Sequence, residues 1–259
     1  MLSLDAATQR AAALVDRARR AGADAADAVY QADGAESISG RLGLLEDVER
    51  SESEHIGLRV FVGQRSASIG SSDLGDAALD ELAARAVAMA RAAPEDRFAG
   101  LAPEDLLSTG PFPELDLDDP HEPSPQALRE AALEAEDAAR AMAGITNSDG
   151  AGASAGRGLF ALATSHGFAA AYQTTSHALS VSVVGGEGAA MQRDYAWRSA
   201  HHRSDLPSPA EIGQLAGERT VARLNPGRLS RGPMPLVFDP RVGGSLISHL
   251  VNAMAGSAI

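Results

Sequence analysis

His55-Ile56-Gly57-Leu58-Arg59-Val60-Phe61-Val62-Gly63-Gln64 is the stretch that decides the fold. Ile56, Leu58, Val60 and Val62 alternate with His55, Gly57, Arg59 and Phe61, the period of two expected of a strand with one buried face. Gly63-Gln64 offers a turn, and Ala67 and Ile69 resume the alternation, so the segment reads as a β-hairpin. Upstream, residues 28–32 and 38–42 read as two further strands. Downstream, 159–164, 169–184 and 189–197 are β-like, with Ser165-His166-Gly167 and Gly185-Gly186 as turns.

Amphipathic helices flank these strands. The first carries Ala7, Ala11, Leu14, Val15, Ala18 and Ala21 on one stripe, with arginines at its end and Gly22 as a stop. A second is expected from an Asp73 cap through Leu79, Leu82, Ala86 and Ala90 until Pro94. A third opens at Ser124-Pro125 and runs through Leu128, Ala132, Ala135 and Ala139 towards Gly144. Ser208-Pro209-Ala210-Glu211 is a capping box for a fourth, which stops at Asn225-Pro226-Gly227. A short apolar strand, Leu236-Val237-Phe238, precedes Asp239-Pro240 and a last helix containing Val242, Leu246, Leu250 and Ala253. Strands and helices fall in blocks, which favours α+β with antiparallel sheets over a doubly wound fold. Residues 95–123, rich in Pro, Asp and Glu, read as an exposed linker. The expected organisation is an α+β lobe at 1–100, linker and second lobe at 101–228, and a further segment at 229–259.

Composition excludes more than it identifies. The 259 residues include 35 acidic and 22 basic side chains, a net charge of −13, which repels a phosphate backbone and argues against direct nucleic-acid binding. All the basic residues are arginine and 52 residues are alanine, a bias without functional content. With no cysteine there is no disulfide, no thiol nucleophile and no thiolate ligand, so any metal must use His, Asp or Glu. No apolar run approaches a membrane span, and Met1-Leu2-Ser3-Leu4-Asp5 does not begin a secretory signal, so cytoplasmic residence is expected.

The seven histidines are the remaining candidates for metal chemistry. His201 and His202 are adjacent and point apart, as a solvated pair. His166 is a turn residue, His121 belongs to the linker, and His55 and His177 read as surface or half-buried strand residues. His249 adjoins the apolar stripe of the last helix and reads as a histidine satisfied by a neighbouring carbonyl. Glu134, Glu136 and Asp137 read as a solvated helix surface, and the glycines at 150, 152, 156 and 158 as a turn-rich connection without the helix that a phosphate-binding loop needs. No Gly-x-Ser-x-Gly elbow is present, and no nucleophile, base and orienter assemble.

The order of features nevertheless resembles the TldD/PmbA family, and within it the PmbA (TldE) branch. The resemblance rests on Ile56-Gly57-Leu58-Arg59-Val60 followed by Gly70-Ser71-Ser72-Asp73-Leu74, on Asn147-Ser148-Asp149-Gly150-Ala151 and on Ser165-His166-Gly167-Phe168. It continues through Asn225-Pro226 to Phe238-Asp239-Pro240 and the His249 helix. The resemblance implies a cytoplasmic protease of two related subunits, in which a TldD-type partner carries zinc on His-Glu-x-x-x-His plus a later cysteine. Aligned here, that motif falls on His249-Leu250-Val251-Asn252-Ala253-Met254, with leucine at the general-base position and methionine at the second ligand. Leucine takes no proton from water and a thioether is a poor zinc ligand, so no catalytic or metal-binding residue is expected in this chain.

The resemblance also implies a longer protein, with 229–259 as the truncated start of a β-rich C-terminal domain. The expected function is the non-zinc subunit of a peptidase acting on unfolded or leader peptides, with zinc in its partner. The alternatives are a regulatory protein of the DNA gyrase modulator type, or an autonomous metal-dependent hydrolase.

Overall fold

The computed structural model describes residues 1–108, 110–228 and 231–256. Its elements are α1 (Leu4–Arg20), β1 (Ala25–Arg41), β2 (Leu44–Val62), β3 (Arg65–Ser71) and α2 (Asp76–Ala92). There follow α3 (Pro125–Arg140), β4 (Ile145–Thr164), β5 (Ala169–Gly185), β6 (Gln192–Ala200) and α4 (Pro209–Ala222), then α5 (Pro240–Ala253). The fold class is α+β. Six antiparallel strands form one sheet in the order β3-β2-β1-β4-β5-β6.

Each half of that sheet is a meander bracketed by helices, α1-β1-β2-β3-α2 and α3-β4-β5-β6-α4. The strand order reads the same from either edge once the halves are exchanged, so the two halves meet about a pseudo-twofold axis at β1 and β4. These strands pair from Asp27 opposite Thr164 to Gly40 opposite Ala151. The lobes expected at 1–100 and 101–228 therefore share a single sheet, and Met1–Leu224 form one compact unit.

Helices α1 to α4 cover the same sheet face. Along β1 and β2 the even positions are buried, Ala26, Ala28, Tyr30 and Ala32 with Ile56, Leu58 and Val60, against Ala7, Ala11, Leu14 and Ala18 of α1 and Leu79, Ala83, Ala86 and Ala90 of α2. In the other half the odd positions of β4 and β5, Ala151, Ala153, Leu179, Val181 and Val183, meet Leu128, Ala132, Ala135 and Ala139 of α3 and Ile212 and Ala216 of α4. Alanine on both sides brings helix and sheet close. Between α3 and α4 the approach is closest: a Cβ on Gly213 would lie 2.1 Å from the Ala135 carbonyl oxygen.

The hairpin between β1 and β2 turns on Leu42 and Gly43, both at positive φ (53° and 78°), a conformation that leucine adopts only at a cost. Glu136 of α3 holds it there: its Oε1 accepts from the Leu42 N–H at 2.7 Å and its Oε2 from the Gly43 N–H at 2.9 Å. The side chain read as solvated is thus fully buried. Burial alone would raise the Glu136 carboxyl, but donors from Ser148, Gly43 and Leu42, with Arg140 nearby, hold it below the usual carboxylate range.

Several local expectations are corrected. The glycine-rich run 150–158 lies inside β4, because small residues fit where β4 crosses β1 and β5. Residues 28–32 and 38–41 belong to one continuous strand, β1, with Leu42 in the turn that follows, and 44–55 extend β2 with exposed side chains and no buried alternation to betray them. Helix α2 is capped by Gly75; Asp73 instead accepts the Gly75 N–H. Residues 236–238 form no strand. The second unit, Asn225–Ile259, contains α5, whose N-cap Asp239 accepts from the Arg241 N–H and whose Pro240 occupies the first turn. The final three residues of the expected segment 229–259, with Leu229 and Ser230, lie outside the described residues.

Two outcomes follow for stability. Gly213→Ala should destabilise by about 2 kcal/mol or more, the overpacking outweighing the roughly 1 kcal/mol gain in helix propensity, read as a lowered midpoint in chemical denaturation. Glu136→Gln should cost about 1.5–3 kcal/mol at neutral pH. Because the folded carboxyl is held below its unfolded value of 4.5, its contribution is present above that value and lost as pH falls through the folded one. The gap between parent and variant should accordingly close on acidification.

Candidate functional site

The two helix pairs leave a gap over the centre of the sheet, and there the inward side chains turn from apolar to polar. A cavity of about 380 Å³ is lined by Ala32–Glu36 of β1, Arg50–Glu54 of β2, Ala155–Arg157 of β4, and Thr175 and His177 of β5, with Met1 and 121–123 as walls. Parity explains who points in: Glu36 continues the buried positions of β1, Glu52 and Glu54 those of β2, and His177 those of Leu179 and Val181.

His177, expected at the surface or half-buried, is 3% exposed. Its Nε2 lies 3.3 Å from Asp119 Oδ2, and among the described residues neither ring nitrogen has a well-aligned hydrogen-bond partner. Asp119 is already engaged, accepting the N–H groups of Arg203 at 2.7 Å and His121 at 2.8 Å, which hold its carboxyl below the ordinary range. Burial pushes the His177 imidazole down, against the attraction of Asp119, so near neutral pH it is uncharged and offers one N–H and one lone pair.

The linker expected to be wholly exposed is anchored at this point. Asp119 is buried, its N–H donates to Thr175 Oγ1 at 2.8 Å, and the Thr175 N–H donates to the Leu117 carbonyl at 2.9 Å. The adjacent histidines diverge as expected. The His201 ring meets Thr174 and Thr175, while His202 reaches Asp116, whose carbonyl chiefly raises that imidazole's pKa.

Around the cavity, Arg50 pairs with Glu52 at 2.7 Å, the amino terminus with Glu54 at 3.8 Å and Arg157 with Asp118 at 3.6 Å. Among the described residues Glu36 and Glu122 have no hydrogen-bond or ion-pair partner, and they act on Arg50 through space. The balance within the cavity is acidic.

A second cavity, of about 820 Å³, lies on the opposite sheet face, between Asp27, Val29, His55, Arg59 and Leu162 and the segment 101–108. Its polar groups largely satisfy one another: Asp27 pairs with Arg59, and the His166 ring meets Thr164 Oγ1 at 2.9 Å and the Ala102 carbonyl at 3.1 Å. Among the described residues, no three His, Asp or Glu side chains converge to hold a metal ion.

His249 lies in α5, exposed, and among the described residues no carbonyl takes its ring as the sequence suggested. Leu250 is its neighbour, and Met254, the C-cap, lies five residues on, about 140° around the helix axis. This donor set does not fit zinc: one imidazole, an aliphatic side chain and a thioether.

Two family models match the chain, the PmbA/TldA metallopeptidase domain 1 over residues 26–90 and the PmbA/TldA metallopeptidase central domain over 118–224. The Metalloprotease PmbA of Escherichia coli O157:H7 is 36% identical over 86% of this chain and 50% of its own length. The Metalloprotease PmbA homolog of Haemophilus influenzae is 33% identical over 95% and 54%. The chain thus spans about half the length of these curated relatives. A Bacteroides thetaiotaomicron crystal structure, described provisionally as a modulator of DNA gyrase, superposes with a TM-score of 0.88 at 25% identity, covering 99% of this chain and 59% of that one. TldE from Thermococcus kodakarensis shares the fold, with a TM-score of 0.70 at 16% identity over 82% of this chain and 47% of its own. With both models matched in order over the shared sheet, the chain belongs to the TldD/PmbA metallopeptidase family.

Proposed function

We propose that this chain is the non-zinc subunit of a TldD/TldE-type metallopeptidase of the cytoplasm, acting on unfolded or leader peptides together with a zinc-bearing TldD-type partner. The observation that carries this reading is the pair Leu250 and Met254 at the positions where the family's hydrolytic motif needs a general base and a second nitrogen ligand. Peptide hydrolysis requires a polarised carbonyl and an activated water. Leu250 has no lone pair to accept a proton from water, and a single helix imidazole does not hold zinc.

What the chain supplies instead is surface. Sheet edges whose amides and carbonyls are unpaired can align an extended peptide by strand addition, and a wall of this kind shapes a shared cavity without entering the bond-breaking step. Similarity to relatives named metalloproteases supports the peptidase assignment.

A second reading, regulatory binding to another protein, draws on the description of the Bacteroides neighbour. The net charge of −13 disfavours DNA itself as its target. A pull-down with gyrase subunits separates the two readings, since the peptidase reading requires no complex there.

Mixing the chain, in its natural full-length context, with a TldD-type partner bearing His-Glu-x-x-x-His should raise hydrolysis of an unfolded substrate by about tenfold or more over either alone. His249→Ala should leave the activity of the mixture within about twofold. Absence of any gain on mixing, or stoichiometric zinc in this subunit purified alone, would refute the assignment.

A further inference from the structure

Strand β6 ends at Ala200, opposite His177, and past that pair this edge of β5 has no strand beside it among the described residues. Residues 116–121 of the linker cover it. The Thr175 N–H donates to the Leu117 carbonyl at 2.9 Å, and the Asp119 N–H donates to Thr175 Oγ1 at 2.8 Å. The side-chain pins of this strap involve titratable groups. Asp119 faces His177 Nε2 at 3.3 Å while accepting the Arg203 N–H, and the Asp116 carboxylate lies 3.1 Å from His202 Nε2. Asp118 pairs with Arg157 at 3.6 Å. The strap continues as His121, Glu122 and Pro123, a wall of the polar cavity that Thr175 and His177 also line.

We propose that residues 116–121 form a pH-sensitive strap, closed over β5 at Thr175 near neutral pH, released on either side of it, and uncovering the polar cavity when released. The inference goes beyond the peptidase reading and does not depend on it.

The two pinning histidines respond in opposite senses. His177 is buried, faced by Asp119 and His121 of the strap and by His202 and Arg203 of the turn after β6. Elsewhere around the cavity stand Glu122, Glu36 of β1, Arg157 of β4, and Arg50, Glu52 and Glu54 of β2, with Glu52 and Glu54 paired to Arg50 and the amino terminus. Burial outweighs the attraction of Asp119 and holds the imidazole below its ordinary value of 6.5. Just below 6.5 the released chain therefore binds more protons than the closed one, and closure weakens as pH falls through that window.

His202 is the reverse case. Its Nε2 donates to the Asp116 carbonyl at 3.0 Å, and the carboxylates of Asp116, Asp119 and Asp205 add their attraction, so its value is raised above 6.5. Here the closed chain binds more protons, and closure loses that contribution as pH rises through the raised value. Asp119 itself, held below the ordinary carboxylate range by the Arg203 and His121 N–H groups, stays charged throughout.

The test is amide hydrogen exchange on the 259-residue chain between about pH 5 and about pH 8.5, expressed as protection factors corrected for the intrinsic rate at each pH. The Asp119 and Thr175 amides should be most protected near neutral pH and lose about threefold or more on either side, while the β1–β4 ladder stays level. His177→Leu should abolish the acid-side loss alone, and His202→Gln the alkaline-side loss alone. Asp116→Asn, which suits the left-handed φ of 49° at that position, should move the alkaline-side loss to lower pH. Diethyl pyrocarbonate should label His177, relative to exposed His249, about threefold faster at about pH 8.5 than at neutral pH. A level profile in the parent, an unchanged profile in either histidine variant, parallel loss in the β1–β4 ladder, or constant labelling of His177 would overturn the strap. Each of these results would leave the companion-subunit reading untouched.

Discussion

The antiparallel pairing of β1 with β4 is the constraint on which the rest of the compact unit depends. Each half is a three-stranded meander with two helices, and a three-stranded sheet of that size exposes its inner strand edge along the whole of β1 or β4. Joining those edges satisfies two rows of backbone donors and acceptors at once and turns two marginal layers into a six-stranded sheet. It also fixes the parity of every side chain across both halves, because a slip of one residue would send the whole buried set to the other face.

From that pairing the positions of the helices follow. Helices α1 and α3 each lie over both central strands, and α2 and α4 lie further out. Two apolar cores result, one under each pair, and the sheet between them must be covered by something else. Where the helix pairs diverge, the inward positions of β1, β2, β4 and β5 become Glu36, Glu52, Arg157 and His177. The acidic cavity is a consequence of building one sheet from two helix-capped halves. The Glu136 carboxylate ties the halves together a second time, reaching from α3 to the β1–β2 turn and holding Leu42 in a left-handed conformation.

Much of this was legible because burial writes a period into the chain. The Ile56–Val62 hairpin, the Ser124-Pro125 and Ser208–Glu211 helix starts and the alternation before Thr164 all combine one buried face with a recognisable boundary. Elsewhere the physical signal was weak or inverted. Residues 44–55 bury neither face and so carry no alternation, and in β4 the alternation is between alanine and glycine, which differ little in hydrophobicity. Glu136 looked solvated because a lone helix says nothing about a turn that packs on it from more than ninety positions away. His177 could have been found: it stands two residues before Leu179, four before Val181 and six before Val183, on the face those residues bury.

The histidine that attracts attention in the sequence and the one that attracts attention in the structure are therefore different residues with opposite physics. His249 sits on an exposed helix beside side chains that can neither ligate nor accept a proton, and replacing it would disturb no buried group. His177 is buried at the floor of a cavity bounded by strands of both halves, with Asp119 3.3 Å from its Nε2 and burial pushing its pKa down. A buried imidazole whose nitrogens lack hydrogen bonds costs a fold on the order of 1–3 kcal/mol relative to an apolar residue of similar size. Nothing about the β1–β4 junction requires that cost, since Leu159 and Ala153 occupy equivalent inward positions on β4 without it. Glu52 and Glu54 on the same face are paired with Arg50 and the amino terminus, so the charges of this region are largely balanced from within the chain. The buried titratable groups of the compact unit thus gather on the sheet, where the two halves join, whereas His249 stands exposed on α5.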